Sequence, residues 1–187
     1  MKKGEMKEKT GFTIIEVALV LAIAGLIFLM VFLALPALRA TQRDTERRED
    51  IMSFLENVKK FQNNNRGALP SGILPTTVSW DASWDNTTSG SAWRNFYHDY
   101  FDLDRFIDPA GERYQLSVFE CGADEVGARC TSDRIPNYEN TFFPNNYMMY
   151  VVIGASCDGS VAVATANPRK IAVMYRMERA GFYCSNS

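Results

Sequence analysis

The pattern of hydrophobic and polar residues divides the first third of the chain into three stretches. Residues 1–11 are polar and carry four lysines, and in the apolar stretch that follows, Val17 to Leu35 contains no charged residue. As a helix, this apolar run would be roughly 28 Å long, close to the hydrocarbon thickness of a bilayer. Because it is apolar on every side, lipid or similar helices must surround it. The pattern predicts a membrane-spanning helix at residues 12–36.

The third stretch, residues 37–65, has the hydrophobic period of an amphipathic helix. Its opposite face carries mixed charges, such as Asp44 and Arg48 at the favourable i, i+4 spacing. We therefore expect one helix from Phe12 to about residue 63, which an asparagine run and Gly67 then end. The apolar positions of its second half are Ile51, Phe54, Leu55, Val58 and Phe61.

Residues 66–187, called the head below, predict a globular part with an irregular region at 66–113 and an antiparallel sheet at 114–187. The predicted strands Val161–Ala166 and Lys170–Met177 flank Asn167-Pro168 and indicate a hairpin. With the helix stripe packed on the sheet, the fold class is α+β. Strands are expected at Tyr114–Glu120, Tyr147–Ile153, Val161–Ala166, Lys170–Met177 and Phe182–Cys184.

The irregular region is rich in aromatic residues. One interpretation is a patch that binds sugars or surfaces; the other, which we favour, is that the rings pack this region onto the helix and sheet. A short helix is expected at Trp93–Phe101. The aromatic residues concerned are Trp80, Trp84, Trp93, Phe96, Tyr97, Tyr100 and Phe101.

All four cysteines follow the apolar stretch, and an even number in an exported domain favours disulfides over metal binding. This places the head in an oxidising space. Of the three possible pairings we favour Cys121 with Cys130, which closes a short loop, and Cys157 with Cys184, which ties down the end of the chain.

Charge and histidine content exclude several function classes. The net charge of −2 predicts no nucleic-acid partner. His98 is the single histidine, so hydrolytic triads and multi-histidine metal sites lack an imidazole. We expect neither an enzyme nor a cofactor.

Glu16 is a lone acid at the start of the apolar stretch. An unpaired carboxylate in a membrane costs about 3 kcal/mol or more, so it has a partner, has a function or lies near the water interface. If the chain were cut after Gly11, Phe12 would carry an ammonium four residues before Glu16.

The run Gly11-Phe12-Thr13-Ile14-Ile15-Glu16, between a basic leader and an apolar helix, resembles the class III signal of type IV pilins and pseudopilins. The resemblance implies that a prepilin peptidase removes residues 1–11 and methylates Phe12, and that Glu16 acts in assembly. It also implies that the helix between Gly25 and Pro36 unwinds locally in a packed filament.

The resemblance predicts a structural subunit of a type IV pilus-like filament for adhesion, twitching motility or DNA uptake; the alternative is a pseudopilin of a type II secretion system. Its partners would be further copies, other pilins, the prepilin peptidase and the inner-membrane assembly machinery. The precursor would cross the bacterial inner membrane once, and the mature protein would be extracellular.

Asp108-Pro109-Ala110-Gly111-Glu112-Arg113-Tyr114 resembles a DPxGxxY turn of the same family. Asp102 and Asp104 precede it, and with Asp108 they are weak candidates for a calcium site, because calcium takes several oxygen ligands. The regular calcium-loop spacing is missing, so a plain turn is the favoured interpretation.

Overall fold

The structure is a computed structural model that describes residues 11–70, 76–78, 91–102, 104–122, 125–130, 147–179 and 181–187. The chain divides into two compact units, Met1–Ala40 and Thr41–Ser187. The long helix α1, Ile14–Asn64, contributes to both. It matches the predicted helix to within two residues at its start and one at its end.

In the first unit, α1 contains one candidate membrane span with a mean hydropathy of 3.0, and none of that window is buried. This is compatible with a single crossing of a membrane. α1 runs through Gly25 and Pro36 without a break in its helical assignment. The leader residues 1–10 lie outside the described part of the chain.

In the second unit, a five-stranded sheet has the order β1-β2-β3-β6-β7, and β4 pairs with β5 in a separate two-stranded sheet. The predicted α+β arrangement of a long N-terminal helix on a C-terminal sheet is confirmed. The elements after α1 are β1 (Thr76–Val78), α2 (Ser91–Tyr100), β2 (Gln115–Glu120), β3 (Met148–Ile153), β4 (Ala155–Asp158), β5 (Val161–Ala164), β6 (Ile171–Arg176) and β7 (Phe182–Asn186).

Two details of the predicted sheet are wrong. Strands β2 and β3 are parallel, with Gln115 opposite Met148, so the sheet is mixed. The long segment between them allows this, because a parallel pair needs a crossover of a dozen or more residues. The predicted hairpin around Asn167-Pro168 does not form either: β5 pairs with β4, and β6 pairs with β3 and β7. Gly159, with φ +59°, supplies the turn between β4 and β5.

The main sheet has a core on each face. On one face, the apolar stripe of α1 packs with α2 and with alternate residues of β2, β3 and β6. Trp93, Phe96, Tyr97 and Phe101 are buried there, which confirms the packing interpretation for these rings; Trp80 and Trp84 lie outside the described residues. The second core contains the opposite residues of the same strands, with parts of β4, β5 and β7.

Candidate assembly site

The first turn of α1 is capped by residues of the sequence motif itself. The backbone N–H of Glu16 donates to Thr13 Oγ1 at 3.4 Å and to Thr13 O at 3.2 Å. Thr13 precedes the first helical residue and Glu16 is the third, the two polar positions of a capping box. A negative charge in the first turn also complements the helix dipole. Glu16 therefore suits this helix start before any role in assembly is considered.

The N-terminal segment presents its side chains to the surroundings. Phe12 is 84% exposed, Ile14 91% and Ile15 76%. Within the described part of the chain, no lysine or arginine forms an ion pair with Glu16.

Nothing in the described surroundings of Gly11 requires a glycine. A Cβ added there would meet no atom within 4 Å, and the same holds for Gly25 inside α1. Gly25 therefore lowers helix stability by about 1 kcal/mol relative to alanine without relieving a contact in the monomer.

A buried ion pair fastens α1 to the head. Arg47 is 2% exposed, and its Nε and Nη2 donate to the two carboxylate oxygens of Asp108 at 2.7 and 3.0 Å. The Tyr175 hydroxyl donates to Asp108 Oδ2 at 2.7 Å. Burial lowers the pKa of Arg47, but the bond to Asp108 and its charge outweigh this, so the net shift is upward and the guanidinium stays charged. Burial and the bond to Asp108 raise the pKa of Tyr175.

A second set of charges extends this contact. Asp44 accepts from Arg47 Nη1 at 3.2 Å and from the backbone N–H of Glu178 at 2.9 Å. Glu178 also accepts two bonds from Arg43, both 2.7 Å, which lower its pKa. The predicted Asp44–Arg48 pair is replaced by Asp44–Arg47, because Arg48 instead lies over the Tyr183 ring at 5.0 Å.

The turn that resembles the family's DPxGxxY motif holds this anchor in place. Asp108 Oδ1 also accepts the Ala110 N–H at 2.8 Å, and the Gly111 N–H donates to Asp108 O at 2.7 Å. Gly111 has φ +96°, a conformation that favours glycine. At the end of the turn, the Tyr114 hydroxyl donates to Asp50 of α1 at 2.6 Å. Both ends of the motif therefore bind α1.

The structure does not bring the three calcium candidates together as ligands. Asp108 is occupied by Arg47 and Tyr175, Asp104 accepts from Arg113 at 3.2 Å, and Asp102 accepts the Asp104 N–H at 3.2 Å. Across the described ranges there is no group of three acidic, histidine or cysteine side chains placed to hold a metal. The plain-turn interpretation fits these contacts.

The four cysteines form the two pairs favoured from the sequence. Cys121–Cys130 joins the end of β2 to the segment beside β5, and Cys157–Cys184 joins β4 to β7. Both disulfides border the second core, so they tie the two-stranded sheet to the main sheet.

Sequence reasoning missed Asp44 and Arg47 as anchoring residues, although a signal was present. The buried positions of α1 continue the apolar spacing backwards: they are Asp44, Arg47, Ile51, Phe54, Leu55 and Val58. Charged residues on a buried stripe indicate a buried ion pair, because a charge leaves water at a large cost unless it is paired. Their partners could not be found this way, since Asp108 lies 61 residues further along the chain.

Comparison of the chain with protein-family models, with curated proteins and with solved structures gave no match.

Proposed function

We propose that this protein is a subunit of a type IV pilus-like filament, made as a membrane-anchored precursor and assembled after cleavage between Gly11 and Phe12. The observation that carries the proposal is the exposed apolar half of α1, whose start lies within the motif Gly11-Phe12-Thr13-Ile14-Ile15-Glu16. The same helix continues into an amphipathic half that is bound to a disulfide-bonded head.

The exposed apolar surface has to be covered. Burying one large hydrophobic side chain completely is worth about 1.5–3 kcal/mol, and these side chains are 39–91% exposed, so the set still forgoes tens of kcal/mol. This exceeds the usual 5–15 kcal/mol stability of a domain. Lipid covers the helix in the precursor, and helices of neighbouring subunits cover it in the filament. The side chains are Phe12, Ile14, Ile15, Val17, Leu19, Val20, Leu21, Ile23, Leu26, Ile27, Phe28, Leu29, Met30, Val31, Phe32, Leu33, Leu35 and Leu38.

Glu16 gives the packed helices an axial register. Inside a bundle of apolar helices its carboxylate needs a cation, and the new ammonium at Phe12 is the nearest candidate in sequence. An axial offset between neighbouring subunits brings one subunit's Glu16 level with the next subunit's terminus. Incorrect offsets leave both charges unpaired in an apolar environment, which is unfavourable by several kcal/mol.

Substitution of Glu16 tests this proposal. Glu16→Val keeps the helix apolar, and Glu16→Gln keeps the shape of the side chain without the charge. Both precursors are expected to insert and be cleaved with a folded head, yet to give few fibres when cells are sheared and the fibres counted by electron microscopy. Glu49→Gln, which removes an exposed acid from the same helix, is the matched control and should leave fibre numbers unchanged.

Normal fibre numbers in the strain carrying only Glu16→Gln would contradict the assigned role of the carboxylate. The secretion pseudopilin is separated by location: a surface pilus is recovered in the sheared fraction, whereas a secretion pseudopilus at ordinary expression stays with the cell envelope.

A further inference from the structure

The C-terminal end of α1 lies beside the turn between β5 and β6. Gln62 Nε2 donates to the carbonyl oxygen of Arg169 at 2.9 Å. A Cβ added at Gly67 would come within 3.2 Å of Arg169 Nη1, so the guanidinium passes close over Gly67. These contacts bring Gln62 of α1 and Gly67, just after α1, next to the β5–β6 turn.

This region concentrates positive charge, although the whole chain has a net charge of −2. Four exposed cations belong to the end of α1, the turn that follows it and the β5–β6 turn, and within the described residues none of them forms an ion pair. Glu56 is the nearest acid before them along α1. We call this set the basic patch: Lys59, Arg66, Arg169 and Lys170.

Arg66 occupies a backbone position that normally belongs to glycine. Its φ is +54°, and it is the one non-glycine residue with positive φ among those described. The Gly67 N–H donates to Gln62 O at 2.7 Å, the bond of a Schellman motif in which the preceding residue is left-handed. The chain thus has a charged arginine where glycine would fit without strain, and such outliers cluster at functional sites.

Two side-chain amides lie beside the basic patch. Gln62 donates its Nε2 to Arg169 O, and Asn65 donates its Nδ2 to Phe61 O at 2.8 Å. Because both partners are carbonyl oxygens, the amide nitrogens make these contacts, and neither amide oxygen accepts a bond among the described contacts. A ligand that fits therefore carries anionic groups for the cations and hydroxyl donors for these oxygens.

We propose that the basic patch binds an acidic polysaccharide, a flexible chain with both carboxylate or sulfate groups and hydroxyls. The planar guanidinium groups of Arg66 and Arg169 suit two-pronged binding of such anions. A DNA backbone supplies acceptors only, so it matches the cations but offers no donor to the amide oxygens. The inference concerns the head and does not depend on filament assembly.

The test measures binding of the purified full chain, kept unassembled in a non-ionic detergent, to immobilised alginate, a polyuronate. Neutral dextran and a short DNA duplex serve as comparison probes. We expect binding to alginate, none to dextran, and weaker binding to DNA at equal charge concentration. Affinity should fall as salt rises from roughly 50 to 200 mM, since counterions are released on binding.

Variants separate the basic patch from general charge. Arg66→Gly should weaken alginate binding about three- to tenfold and reduce the salt slope by about one, while thermal stability stays equal or rises. Arg66→Gly combined with Arg169→Gln should weaken binding more than tenfold, and Arg66→Lys should retain most of it. Arg105→Gln removes an exposed arginine elsewhere in the head and is the matched control.

Three results would overturn the proposal: no binding to alginate, tighter binding to the duplex than to alginate, or an equal loss of affinity in Arg105→Gln and Arg66→Gly. Failure of filament assembly in cells would not affect this measurement, because the protein is assayed unassembled.

Discussion

The buried Arg47–Asp108 pair predicts an unequal response to removing its two partners. Arg47→Met leaves two carboxylates, Asp108 and Asp44, buried without their cation; their side chains are 2% and 10% exposed. Asp108→Asn leaves Arg47 with Asp44 at 3.2 Å and Glu178 at 3.0 Å. The asparagine oxygen can also still accept the Ala110 N–H. The arginine keeps two carboxylate partners, whereas the two carboxylates keep hydrogen-bond donors but no cation among the described ion pairs.

The magnitudes follow from this difference. Breaking a buried ion pair so that a charge is left alone costs about 3–5 kcal/mol, which we assign to Arg47→Met. Asp108→Asn loses charge-assisted hydrogen bonds but strands no charge, at about 1.5–3 kcal/mol. For a protein of this size, 1 kcal/mol lowers the melting temperature by about 2–4 °C, so the two variants should differ measurably. Combined, they should cost less than the sum of the single changes, since they share one contact.

Thermal unfolding of the disulfide-intact protein in detergent, followed by near-ultraviolet circular dichroism, measures the order. Arg43→Met is the matched control, because it removes an arginine one turn earlier whose ion pair with Glu178 is partly exposed. It should change the melting temperature little. Equal destabilisation by Asp108→Asn and Arg47→Met, or additive free-energy losses in the double variant, would contradict the role given to the buried Arg47–Asp108 ion pair.

Two further predictions concern the stability of the second unit, Thr41–Ser187. Burial raises the pKa of Asp50, and the bond from Tyr114 opposes this only in part. The stability that Asp50 contributes is therefore complete below its pKa in the unfolded chain and is lost as pH rises through its pKa in the folded protein. Asp50→Asn, which can still accept the Tyr114 hydroxyl, should therefore melt at a higher temperature than wild type at pH 7. The difference should vanish below about pH 4. A constant difference in a pH series of melting curves would contradict this. Replacing Cys157–Cys184 by serines should lower the free energy of unfolding by about 3.5 kcal/mol, and replacing Cys121–Cys130 should lower it by about 2.5 kcal/mol. The first disulfide contributes more because it closes the longer loop, 27 against 9 residues. Melting in the reverse order would argue against loop entropy as the cause.

The helix and its apolar stripe were predictable because their signal is local. A three- to four-residue period fixed α1 to within two residues, and the stripe from Ile51 to Val58 packs as expected. At the assembly segment, Glu16 was singled out for its charge, whereas the cap it makes with Thr13 was missed even though the T-x-x-E spacing was visible.

The sheet pairing was less predictable because it depends on contacts distant in sequence. The parallel β2–β3 pair follows from a crossover whose path no local pattern encodes. Asp158-Gly159 is a turn signal for the observed β4–β5 hairpin, but Asn167-Pro168 is also a turn signal and predicts a different hairpin. Strand β1, Thr76–Val78, has three residues, too few for an alternation to be recognised.

The basic patch escaped notice for a similar reason. Net charge averages over the chain, and only the fold brings Arg169 next to Gly67, 102 positions earlier in the sequence.

The N-terminal residue of the mature protein tests the proposed cleavage between Gly11 and Phe12. Fibres sheared from cells should yield a subunit whose first residue is Phe12, carrying one N-methyl group, by intact mass and by fragmentation of the N-terminal peptide. Gly11→Val should leave the full-length precursor in the membrane fraction and give no fibres, although a Cβ at residue 11 meets no described atom within 4 Å. A subunit that retains residues 1–11 in fibres, or normal cleavage of Gly11→Val, would contradict the account.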